Sequence, residues 1–133
     1  MSQENVETTR DLFLAFNRRD LTALLGLLDP DVEWIPIMAV LEGRVYRGHD
    51  GVTQWIEHLD EYWALFEVDA EEVRDLGDRV LTLGCWRARG RASGVGLDNE
   101  PGTWLLDFKA GKVRRLQTYT DRDEGIKAAG VLA

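Results

Sequence analysis

The hydrophobic period of the chain changes near Phe66. Upstream, Val52, Trp55, Ile56, Leu59, Tyr62, Trp63 and Phe66 recur at the three- and four-residue steps of a helix face. Downstream, apolar residues alternate, as on strands with one buried face. Few folds accept a chain with its helices grouped early and its strands in succession. Consecutive antiparallel strands joined by tight turns predict an α+β domain, its helices lying on one face of a curved sheet.

Before the long helix, Val6, Phe13 and Phe16, with Leu12 beside them, give helical spacing from Glu4 to Arg18. Asp20 is placed to cap a short second helix carrying Leu21, Leu24, Leu25 and Leu28. Asp29-Pro30-Asp31 ends it, because proline disfavours helical backbone in the preceding residue. VEWIPI, Val32 to Ile37, is a first strand, and Val40 to Arg47 a loop.

After the long helix come a strand from Glu67 to Leu76, a turn at Gly77-Asp78, and a long strand from Arg79 to Ala92. SGVGLDNEPG is a loop. Thr103 to Lys109 and Lys112 to Thr120 make a hairpin turning at Ala110-Gly111. Asp121 can cap a last short helix, with Glu124 completing a capping box and Gly130 suiting its end. No linker or repeat interrupts the chain, so residues 1–133 are expected to form one domain.

Hydrophobic residues make up 44% of the chain, enough for a core. The net charge of −8 argues against nucleic acid and against an anionic membrane as partners. No apolar run approaches the roughly 20 residues of a membrane span. MSQENVETTR lacks the basic start and apolar middle of a signal peptide. With a single cysteine, Cys85, no intrachain disulfide can form, and the expected compartment is the reducing cytoplasm.

FNRRDLTALLGLLDPDVEW, YRGHDGVTQWIEHL, GDRVLTL, FKAGKVRRLQTY and TDRDEGIKAAGV, in this order of elements, resemble the SnoaL-like branch of the nuclear transport factor 2-like superfamily. The resemblance covers nearly the whole chain. It implies a cone-shaped fold, a curved antiparallel sheet with three helices enclosing a pocket, plus a short C-terminal helix. It also implies homodimers formed through the outer sheet face. Such folds host ketosteroid isomerases, epoxide hydrolases, polyketide cyclases, dehydratases and non-catalytic binders, so fold alone leaves the activity open.

By this similarity, Leu81, Leu83, Cys85, Arg87 and Arg89 are expected to face the pocket, with Trp86 and Tyr119 outside as dimer contacts. Trp104, Leu106 and Phe108 share a face. Leu116, Thr118 and Thr120 face in, and Val113, Arg115 and Gln117 face out. A ketosteroid isomerase of this fold needs a carboxylate base, a tyrosine and a protonated aspartate. Those positions fall on Trp34, Leu12 and near Trp104, which removes that mechanism. An epoxide hydrolase would pair an arginine, here Arg87, with two aspartates, and no aspartate pair has the right parity.

His49 and Asp50 are adjacent, and neighbours on a helix do not aim their side chains at each other. Asp50 is better explained by the positive end of the helix. His49 alone is a candidate acid–base group at the pocket mouth. His58 belongs with Glu57, Asp60 and Glu61 on a solvated face. Metal-ligand spacing is absent, and no metal or cofactor is expected. Asp121 lies near where related cyclases carry an acid, and is also a helix cap.

The tryptophans stand where family enzymes carry acids. Trp34 and Trp104, with Tyr46, Leu81, Leu83, Leu106 and Thr118, would form an apolar site for a flat or hydrophobic small molecule. Arg87 would be its polar anchor, or would pair with surface acids beside Arg89. Cys85 is read as a small core residue. Three roles follow: a small-molecule binder; a lyase, isomerase or hydrolase using His49, Arg87 or Asp121 on a polyketide-like substrate; or a dimeric partner domain with a filled pocket.

Overall fold

The structure, a computed structural model, describes residues 2–37, 39 and 43–130. Helix α1 (Ser2–Arg18) turns directly into α2 (Leu21–Gly26), where the Asp20 carboxylate accepts from the Ala23 N–H and caps the helix. Strands β1 (Leu28–Ile35) and β2 (Tyr46–Arg47) precede helix α3 (Gly48–Tyr62). Then follow β3 (Trp63–Asp75), β4 (Arg79–Gly90), β5 (Gly96–Lys109), β6 (Lys112–Tyr119) and α4 (Arg122–Ala128). The strands form one curved sheet in the order β2-β1-β6-β5-β4-β3. The expected antiparallel pairing has one exception, since β1 runs parallel to β6. No described helix is long and apolar enough to cross a membrane.

Four element boundaries differ from the sequence reading. α3 stops at Tyr62, and Trp63 to Phe66 open β3 although they continue the helical spacing. Their apolar run also suits a strand, and pairing Phe66 with Ala88 and Val68 with Trp86 decides for the ladder. β5 begins at Gly96 rather than Thr103, because the end of β4 pairs with it across a bulge after Trp86. β1 starts at Leu28, with Asp29-Pro30-Asp31 in an irregularity between Leu28 and Glu33. The Asp29 carboxylate accepts from the Asp31 N–H at 2.8 Å there. Of the loop expected over Val40 to Arg47, residues 40–42 lie outside the described residues and Tyr46–Arg47 form β2.

The facing of β4 is the reverse of that expected. Trp86 and Ala88 look toward the helices and join the main core with Phe66 and Val68. Leu81 and Leu83 turn the other way, into a second cluster with Leu105 and Ile126 beneath α4. Both alternating sets of β4 contain apolar residues because both sides of its first half are covered, so hydrophobicity does not choose the face. Trp86 is therefore not an outer-face dimer contact. Cys85 is half-buried on the outer face, and Arg87 and Arg89 are exposed. Val113, expected outside, is buried in the main core, since a register shift between Asp107 and Phe108 rotates the start of β6 inward.

Gly84 lies where β3 bulges toward β4, between Ala70 and Glu72. A Cβ at Gly84 would stand 1.9 Å from the carbonyl oxygen of Asp69. Backbone cannot step aside as a flexible side chain can, so the β3–β4 ladder would have to part. Gly84→Ala is expected to lower stability by about 2 kcal/mol, read as a reduced urea midpoint. An unchanged midpoint would show that this close approach is not required.

Candidate functional site

One face of α1 carries Leu12, Phe13 and Phe16, all buried against the sheet. The buried stripe of α3 brings Trp55 and Leu59 to the same interior. The concave sheet face answers with Trp34 from β1, Phe66 and Val68 from β3, and Trp86 from β4. Trp104 from β5 and Leu116 and Thr118 from β6 complete it. Five of the rings pack as one network through Phe16 and Phe66, and Phe13 and Trp104 form a separate pair. Phe16 stacks on Trp55 at 5.3 Å, and Phe66 stacks on Trp86 at 5.4 Å. Trp34 tilts against Trp55 at 5.5 Å, and Phe13 meets Trp104 edge-on at 5.4 Å.

These residues enclose a cavity of about 40 Å³, room for a few water molecules or one small group. Three of its wall residues carry buried polar atoms without hydrogen-bond partners: Trp34 Nε1, Trp86 Nε1 and Thr118 Oγ1. Trp34 and Thr118 are each only 3% exposed, so solvent does not reach them directly. Leaving such a group unpaired costs about 1–3 kcal/mol.

A second cavity, of about 420 Å³, shares Trp55 and Leu59 with the first and opens toward solvent. Its wall adds Tyr46, His58, Tyr62 and Trp63, then Gly90 to Ser93 and Val95 from the end of β4 and the turn beyond it, with Arg44 on the other side.

Of the expected ligand-contacting residues, Trp34, Trp104 and Thr118 meet in the inner cavity wall. Leu106 packs in the same core cluster behind it, and Tyr46 stands in the outer cavity. Leu81 and Leu83 lie across the sheet from both, for the reason of facing given above.

The three candidate catalytic groups lie apart. The ring of His49 bonds the Leu28 carbonyl through Nε2 at 3.0 Å, fixing the start of α3 to β1. Asp50 sits in the first turn of that helix. Arg87 reaches Glu67 at 3.3 Å on the outer sheet face. Asp121 caps α4 by accepting from the Asp123 N–H at 2.9 Å. None of the three borders the inner or the outer cavity.

Phe13, Phe16 and Trp86 were not among the expected site residues, and His58, read as solvated, borders the outer cavity. The α1 phenylalanines were legible as a helix stripe, but only the closure of the sheet makes that stripe a cavity wall.

On the outer face, Asp69, Glu71 and Cys85 place ligand-type atoms within 4.8 Å of one another. Burial raises the Cys85 thiol above its ordinary value, and Glu71 and then Asp69 raise it further, while Arg87 opposes them. The thiol thus stays protonated near neutral pH, which weakens it as a metal ligand or nucleophile.

The SnoaL-like domain family matches residues 9–116. The chain belongs to that family. Its likeness to solved structures runs along nearly its whole length. An NTF2-like protein of unknown function from Burkholderia pseudomallei is 28% identical, with a TM-score of 0.79 over 93% of this chain and 95% of that one. TerC, co-crystallized with polyporic acid, is 22% identical, with a TM-score of 0.78 over 96% and 98%. A protein with a ketosteroid isomerase-like fold from Catenulispora acidiphila, in complex with trimethylamine, is 17% identical, with a TM-score of 0.75 over 95% and 94%. No curated protein matches the chain. At these identities the second and third likenesses are likenesses of fold.

Two measurements test this SnoaL-like interior and its outer face. Thr118→Val should leave stability unchanged or raise it by up to about 1 kcal/mol, because the hydroxyl it removes has no partner. A loss above about 1.5 kcal/mol in thermal or urea unfolding would mean that the hydroxyl is bonded. Cys85 should alkylate with iodoacetamide at pH 8 more slowly than a free cysteine. The double change Asp69→Asn with Glu71→Gln should speed it about two- to fivefold by lowering the thiol pKa. No gain in rate would remove the two carboxylates as a cause.

Proposed function

We propose that this SnoaL-like domain binds a small hydrophobic molecule, whose apolar end enters the tryptophan-lined cavity between sheet and helices. The observation that carries the reading is the trio of buried, unpartnered polar atoms on Trp34, Trp86 and Thr118 in an otherwise apolar wall. Two indole N–H donors and one hydroxyl suit a ligand with an oxygen acceptor on an apolar frame. The ligands of two proteins of like fold, polyporic acid and trimethylamine, are natural first probes.

A second reading is a partner domain whose cavity is filled by its own side chains, working as a homodimer through the outer sheet face. The free volume of about 40 Å³ favours it, since drug-sized ligands occupy roughly 300–1,000 Å³. The lyase, isomerase or hydrolase reading draws less support, because His49, Arg87 and Asp121 border neither cavity.

Tryptophan fluorescence separates the first two readings. Titration with polyporic acid, trimethylamine and a graded series of aromatic ketones should give saturable quenching by at least one compound. Trp34→Phe keeps an aromatic group, though a smaller one, and deletes the N–H donor, and should weaken that compound about three- to tenfold. Absence of saturable quenching across the series, with the protein folded, would leave the filled-cavity reading. That reading in turn requires a dimer by light scattering at micromolar concentration.

A further inference from the structure

One stripe of α3 runs out of the core and into the outer cavity. Trp55, His58, Leu59 and Tyr62 stand at i, i+3, i+4 and i+7, and all four border that cavity. Trp55 and Leu59 are buried and belong to the inner wall as well, whereas Tyr62 is 67% exposed. Past Tyr62, Trp63 opens β3 and continues the aromatic wall. Across from this stripe lie the end of β4 and the turn beyond it. There Gly90, Ala92 and Ser93 carry little or no side chain, and Val95, 58% exposed, ends the row. Rings on one side and small residues on the other leave a slot between them.

We infer that this slot receives the planar aromatic body of the ligand, between the α3 stripe and the turn after β4. This rests on the binding role proposed above and specifies the class of molecule: a flat aryl or fused-ring frame with a small oxygen-bearing tip. The sizes agree, because about 420 Å³ lies in the range of small-molecule sites, whereas the inner cavity of about 40 Å³ holds one small group. The two cavities share Trp55 and Leu59, so body and tip meet at the same two side chains.

The width of the slot is set before any ligand arrives. The Arg91 N–H donates to the Tyr62 carbonyl at 3.0 Å. Its side-chain Nε and Nη2 donate to the Asp60 carbonyl at 3.1 and 2.8 Å, and Nη2 also reaches the Trp63 carbonyl at 3.3 Å. One residue thus fastens the turn to the end of α3 and the start of β3. The turn is also closed on itself, with the Gly90 N–H on the Val95 carbonyl at 2.9 Å and the Gly94 N–H on the Gly90 carbonyl at 3.0 Å. Walls braced in this way need little ordering when a molecule binds. A flat ring between them stacks on the aromatic side and covers the apolar surface that Tyr62 and Val95 expose. A globular body of the same carbon count meets the rings over a smaller area.

The test compares 2-acetylnaphthalene with 1-acetyladamantane by calorimetry on the whole chain. The two share the methyl ketone tip and the carbon count, and differ in that one body is flat and the other globular. The flat ketone should bind at least about tenfold tighter. Tyr62→Ala removes a ring from one wall, and Ala92→Leu puts a branched side chain on the other. Each should bring the preference below about threefold. Both positions are exposed, so neither change disturbs the core. Equal binding of the two ketones, or a preference that either variant retains, overturns the slot and leaves the binding role intact. Binding of neither ketone, while another compound of the aromatic series quenches tryptophan fluorescence, does the same. If the whole series fails, slot and binding role fall together.

Discussion

Phe16 lies between two other rings, stacked on Trp55 at 5.3 Å and edge-on to Phe66 at 6.2 Å. The three belong to α1, α3 and β3, so one side chain ties two helices to the far strand of the sheet. The C-terminal end of α1, Asn17 with Arg19 just beyond it, strengthens the tie. Arg19 covers the Phe16 ring at 4.5 Å, donates to the Phe66 carbonyl at 3.0 Å and pairs with Asp60 at 2.9 Å. The Asn17 amide donates to the Val68 carbonyl at 2.7 Å and accepts from its N–H at 2.9 Å, as a neighbouring strand would. An edge strand with open backbone groups invites pairing with another chain, and α1 answers part of that demand. With β3 drawn onto α1 in this way, the curvature of the sheet and the size of the enclosed cavity are both determined.

Much of this was legible in the sequence because burial and period coincide where one face is dry and the other wet. Val52, Trp55, Ile56 and Leu59 gave α3, and Asp20 and Asp121 gave the caps of the short helices. The facing of Trp104 and Thr118 followed from alternation on β5 and β6. β4 did not yield in the same way. VLTLGCWRA has apolar residues in both registers, and its outward leucines are buried only because α4 folds back over them. The sequence offers no local sign of that cover, so Leu81 and Leu83 were exchanged for Trp86. Bulges are similarly silent, since a shift after Asp107 or Trp86 depends on the partner strand rather than on the residues themselves.

The site divides along the same lines. Tryptophans could be counted, and their absence of acids excluded one mechanism, but only the fold shows which indoles share a wall. His49 illustrates the opposite case. Its chemistry suggested catalysis, whereas its contact with the Leu28 carbonyl makes it a brace between α3 and β1. Arg91 drew no attention as one basic residue near a glycine-rich turn. Its significance comes from neighbours in space, the Asp60 and Trp63 carbonyls at the end of α3, to which it fastens the turn after β4.

The filled and ligand-binding states of the cavity need not differ much in free energy. Parting one stacked pair, such as Phe66 and Trp86, forfeits about 0.5–1.5 kcal/mol beyond its area. Satisfying a buried donor or hydroxyl left unpaired recovers about 1–3 kcal/mol, and three residues of the cavity wall carry such atoms. A ligand that brings an acceptor to them therefore offsets the opening of the ring network, whereas a pure hydrocarbon of the same size cannot. Under the binding role proposed above, the unpaired atoms set a threshold: a ligand that also meets the indoles and the hydroxyl would open the cavity, and a purely apolar molecule would not.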